Sequence, residues 1–62
     1  MWTLTKDGRT VRLVLTTHSL GHELRLLVGV EFARSQVCKT PEAVATTADE
    51  WRTTAIAKGW AA

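Results

Sequence analysis

The dipeptide Asp7-Gly8, set between two alternating runs in "WTLTKDGRTVRLVL", constrains this chain more than any other feature. A two-residue type I′ turn needs positive φ at both central positions, and Asp-Gly supplies it at little steric cost. With these residues at the tip, the pairing outward is arithmetic. Lys6 faces Arg9, Thr5 faces Thr10, Leu4 faces Val11, Thr3 faces Arg12 and Trp2 faces Leu13. Directly opposed side chains share a sheet face. One face therefore collects Trp2, Leu4, Val11, Leu13 and Leu15, and the other Thr3, Thr5, Thr10, Arg12, Val14 and Thr16. A slip of one residue would scramble both sets, so the register is specified. Strands are expected over about 2–6 and 9–16.

Beyond this hairpin, "HSLGH" breaks the alternation and reads as a loop marked by Gly21. "ELRLLV" resumes a strand over about 22–28, with Leu24, Leu26 and Val28 on one side and Arg25 and Leu27 on the other. Gly29 in "VGVE" either seats another tight turn or bulges one long strand. The turn is preferred, because an unbroken strand from Glu23 to Val37 would far exceed the usual length. A fourth strand then covers about 31–37.

"KTPEAVATTADEWRTTAIAKGWAA" carries the signals of a helix over about 41–58. Thr40 is a suitable N-cap, Pro41 fits the first helical position, and Glu42 meets the positive end of the dipole. Val44, Ala48, Trp51 and Ala55 recur at spacings of four, three and four, forming one apolar stripe. Gly59 suits a left-handed terminator, after which Trp60 can pack back near Ala55 or Ile56. The expected fold is α+β: an antiparallel β-meander of three or four strands, packed on one face by a single C-terminal α-helix. Trp2, Leu4, Val11, Leu13, Leu24, Leu26, Phe32, Val44 and Trp51 form the expected core.

Sixty-two residues make a single small domain. Cys38 is the only cysteine, so the chain cannot form an internal disulfide, which favours a reducing, cytoplasmic setting. The opening "MWTLTKDGR" places charges where a signal peptide would be apolar, and no apolar run approaches membrane-spanning length, so no membrane role is expected. A net charge of +2 and a pI near 9.2 are compatible with an anionic partner without requiring one.

His18, His22 and Cys38 are the only residues that suggest metal chemistry. A structural zinc site normally takes four ligands, so exposed loop histidines and a buried, inert cysteine are the better account. A nucleophilic Cys38 or Ser19 would need an adjacent base, an orienting group and an oxyanion hole, for which a domain this small has little room, and the isolated glycines make no phosphate-binding loop. No enzyme activity, cofactor or metal is expected. The tryptophans fall on apolar positions and read as packing, not as platforms for base stacking.

The outward sheet face is the most informative surface. A solvated face of strand-forming threonines is the plain reading. Beyond it, Arg12 and Arg25, with Lys6 and Arg9 at the hairpin tip, could contact nucleic-acid phosphates. Val14 with Leu27 could instead centre a homodimer contact, or an edge strand could pair with its copy. The segments "WTLTKDGRTVRLVL", "LGHELRL" and "KGW" together resemble short uncharacterised bacterial proteins of similar length. That resemblance spans nearly the whole chain and implies no activity and no functional residue. The functional expectation is a non-enzymatic binding or protein-interaction module, homodimeric in one version, with nucleic-acid binding through the sheet face as the alternative.

Overall fold

The computed structural model describes residues 1–62. Four strands precede one helix: β1 (Trp2–Lys6), β2 (Arg9–His18), β3 (Gly21–Val28), β4 (Glu31–Cys38) and α1 (Pro41–Ala57). The strands form a single antiparallel meander in the order β1-β2-β3-β4, with the helix on one face. The fold class and the strand count follow the sequence reading, with the fourth strand present. In the first hairpin the register runs from Lys6↔Arg9 to Trp2↔Leu13, as the turn arithmetic requires. Asp7 (φ 51°) and Gly8 (φ 76°) take the two left-handed positions of its turn.

The second connection is tighter than a loop. β2 continues to His18, β3 begins at Gly21, and only Ser19 and Leu20 lie between them. The His18 ring holds this turn, its Nδ1 accepting from the Leu20 backbone N–H at 3.0 Å. Gly21 has φ 144°, and a Cβ there would sit 2.5 Å from the Cys38 carbonyl oxygen, so the start of β3 and the end of β4 meet where no side chain fits. At "VGVE" the chain turns through Gly29 (φ 62°) and Val30. A bulge is also present, but further along: Leu27 faces Phe32 while Leu26 faces Arg34, which leaves Ala33 as the extra residue in β4.

These pairings correct one core assignment. Phe32 lies opposite Leu27, on the face away from the helix, and is 57% exposed. The turn at Gly29 dictates this, because Leu27 and Phe32 are equidistant from its tip. The bulge then brings Arg34, Gln36 and Cys38 onto the helix side opposite Leu26, Leu24 and His22. Cys38 is consequently buried and belongs to the core cluster with Leu13, Leu24, Val44, Ala48 and Trp51.

The core is small. Leu4, Leu13 and Leu24 are its largest fully enclosed side chains, and Trp2 and Leu26 are half-buried against it. The Trp2 indole N–H donates to the Ala48 carbonyl at 3.2 Å, which ties β1 to the middle of the helix. Both helix ends are satisfied. The Thr40 hydroxyl accepts from the Ala43 N–H at 3.1 Å with Pro41 in the first turn. At the other end Gly59 N–H reaches Ile56 O (3.0 Å) and Trp60 N–H reaches Ala55 O (3.1 Å), the bond pair of a Schellman motif. The chain then returns to β1, where Thr5 and Ala61 exchange backbone hydrogen bonds of 2.6 and 2.9 Å.

Candidate functional site

Three surfaces follow from this arrangement: the bare outer face of the sheet, the free edge of β4, and a cleft beneath the C-terminal half of the helix. Alternation along β2 and β3 sends Arg12, Val14 and Thr16 outward, opposite Leu27, Arg25 and Glu23. The bulge keeps Phe32 and Val37 on that same face, opposite Leu27 and Glu23. Val14, Leu27 and Phe32 thus lie close together among threonines and two arginines, with Val37 set apart beyond the Arg25–Ser35 pair. Val14 and Leu27 are half-buried by their neighbours, whereas Phe32 and Val37 are exposed.

Of the five residues singled out in the sequence, Arg12, Val14 and Arg25 share this outer face. Lys6 and Arg9 do not join them, because they pair with each other on the Leu4 side of the first hairpin. Lys6 Nζ donates to the Lys58 carbonyl at 2.8 Å, so its ammonium supports the C-terminal end of the helix. Arg25 Nε lies 2.8 Å from Glu23 Oε1, in the one ion pair of the protein. Arg12 alone therefore offers an uncommitted cation at the centre of the outer face.

The two edges of the sheet differ. β1 is partly closed by the Ala61 bridge and by the Trp2 contact with the helix. Along β4, every residue from Glu31 to Val37 is exposed. On its inner face the strand meets helix side chains through Arg34 over Trp51, the Gln36 amide 3.4 Å from the Thr47 hydroxyl, and Cys38. An edge of eight residues with free N–H and C=O groups is a template for another strand.

No protein-family model matches the chain, and neither curated proteins nor solved structures show a significant match. Function must therefore be argued from geometry alone.

The residues that suggested metal binding are divided by the sheet. His22 and Cys38 are cross-strand partners on the helix side, while His18 lies on the opposite face and holds its own turn. No group of three or more His, Cys, Asp or Glu side chains is gathered in a way that could hold a metal ion. The Cys38 thiol is buried 3.8 Å from the Thr47 hydroxyl. No helix is long and apolar enough to cross a membrane.

The cleft is what sequence reasoning missed. It has a volume of about 200 Å³ and lies between the helix and the inner face of the sheet at the Val11–Val28 end. Helix α1 begins just after the Cys38 end of β4 and ends beside β1, where Lys6 bonds the Lys58 carbonyl, and Val28 and Leu26 stay only half-buried beneath it. Trp51 and Trp60 form its indole walls. The guanidinium of Arg34 stacks over the Trp51 ring, 4.3 Å from the centroid, a cation–π geometry. No sequence signal marked it, because the facing direction of Arg34, between Ala33 and Ser35, depends on the bulge.

Proposed function

We propose that this chain is a non-catalytic protein-interaction module that acts as a homodimer, two copies joined edge to edge through β4. The observation that carries the reading is the exposure of β4 over Glu31–Val37 while the opposite edge is partly closed by Ala61. Strand addition at such an edge draws affinity from main-chain hydrogen bonds and specificity from alternate side chains. A two-fold axis near Ser35 makes the contact self-complementary. It brings Phe32 of one copy beside Val37 of the other, so that exposed apolar side chains meet across the joint, once the extra residue Ala33 is allowed for. A domain this small gains stability from such association by mass action.

Sedimentation velocity from about 10 µM to 1 mM tests the proposal. A dimer is expected, and Phe32→Glu should dissociate it while the circular dichroism spectrum stays unchanged. A wild-type monomer throughout that range would sink the reading. A dimer dissociated by Val14→Glu but unaffected by Phe32→Glu would also overturn it, by moving the contact from the edge to the sheet face.

Nucleic-acid binding through the outer face is the second reading, and Arg12 supports it. Lys6, Arg9 and Arg25 add less, the first two by their face and the third by its ion pair. Binding on this account weakens steeply with salt and disappears in the Arg12→Ala/Arg25→Ala double variant. A salt-independent signal, or none, excludes it.

A further inference from the structure

We propose that the cleft between the C-terminal half of α1 and the β2–β4 sheet binds a small aromatic monocarboxylate, one ring carrying a single carboxylate group. This site is separate from the β4 edge and does not depend on the interaction reading.

Three observations converge on that class of ligand. The first is size. At about 200 Å³ the cleft suits one ring with a short substituent, since an enclosed apolar space of roughly 150 Å³ holds benzene. The second is the lining. Val11, Leu26 and Val28 supply an aliphatic floor and Trp51 and Trp60 supply aromatic walls, an environment for stacking or edge-to-face contact with a ring.

The third is charge. Arg34 and Lys58 are the two ionisable residues of the lining, and no carboxylate accompanies them. Neither takes part in an ion pair, because the protein's one pair is Arg25–Glu23. Stacking on Trp51 orients the Arg34 guanidinium and leaves its N–H edge open, which suits bidentate binding of a carboxylate. Lys58 belongs to the same end of the helix, where Lys6 already occupies the Lys58 carbonyl. The Lys58 ammonium takes part in no ion pair, and Thr54 adds a further polar side chain to the lining. A half-open, largely apolar cleft with cations and no internal counter-ion favours an amphipathic anion over either a neutral ring or a bare inorganic anion.

The indoles of Trp51 and Trp60 provide the readout. In ¹H–¹⁵N correlation spectra, titration with phenylacetate should shift both indole N–H signals saturably and leave the Trp2 signal in place. Half-saturation is expected at about 0.1–1 mM, typical of a ligand with so few atoms. Phenylacetamide, which keeps the ring and loses the charge, should bind about tenfold more weakly. Cyclohexylacetate separates an aromatic from a merely apolar requirement. Arg34→Gln and Lys58→Gln, both at exposed positions, should each weaken phenylacetate binding, whereas Arg12→Gln on the opposite face should not. Absence of a saturable shift at the two indoles up to about 20 mM would overturn the proposal. So would equal binding of the acid and the amide by the wild-type protein, a comparison that needs no variant to fold. Cyclohexylacetate binding as tightly as phenylacetate would overturn the aromatic assignment.

Discussion

Replacing Gly21 with alanine should remove a large share of the stability of this domain, far more than the same change at Gly29. Both glycines have positive φ, 144° and 62°, so both substitutions strain the backbone. At Gly29 nothing lies within 4 Å of an added Cβ, and its φ is one that a non-glycine residue can adopt. About 1 kcal/mol is the expected cost there. At Gly21 the φ is nearly exclusive to glycine, which alone costs about 1–3 kcal/mol. The new Cβ would also sit 2.5 Å from the Cys38 carbonyl oxygen and 3.1 Å from the Lys39 Cα, both backbone atoms. Relief requires moving the end of β4 away from β3, which opens the His22↔Cys38 pair and withdraws Cys38 from the core. A total of about 3 kcal/mol or more follows. A chain of sixty-two residues is expected to have only about 3–9 kcal/mol in all, so this one change removes about a third of it or more. Urea titration followed by tryptophan fluorescence measures this directly. With a slope of about 1 kcal/mol per molar urea, the midpoint should fall by roughly 3 M for Gly21→Ala and roughly 1 M for Gly29→Ala. Equal shifts would refute the close-approach argument and leave only a generic effect of glycine replacement.

Two other substitutions probe the seams of the fold. Trp2→Phe removes the indole N–H that bonds the Ala48 carbonyl and should cost about 1 kcal/mol in the same urea assay, while a neutral result would show that the ring alone anchors β1. Thr16→Val replaces a buried hydroxyl oxygen that has no hydrogen-bond partner with a methyl group of similar size; thermal unfolding should rise by a few degrees, and a fall would mean that the hydroxyl is satisfied.

Much of the candidate interaction surface was legible in the sequence, because the alternation of β2 and β3 already assigns Arg12, Val14 and Arg25 to one face. Lys6 and Arg9 were grouped with them by proximity to the turn, although the same alternation places that pair on the Leu4 side. Phe32 illustrates a different failure. Its hydrophobicity pointed inward, while its distance from the Gly29 turn placed it outward, and geometry decided the matter. In a domain with so little interior, a large apolar residue is not assured a buried position.

By itself the sequence determined the features that a few neighbouring residues can enforce. Asp7-Gly8 and the flanking alternation set the first hairpin to the residue, and Thr40, Pro41 and Gly59 set the ends of the helix. These depend on φ preferences, side-chain period and local hydrogen bonds, all readable over a short span. Only the tertiary structure decided where β4 bulges, and with it that Arg34 stacks on Trp51. It alone decided the path of the helix across the sheet, and hence the cleft beneath its last turns. The extra residue at Ala33 and the helix crossing are settled by how two distant surfaces fit together. That fit is a sum over contacts between segments far apart in the chain, and no short stretch of sequence contains it.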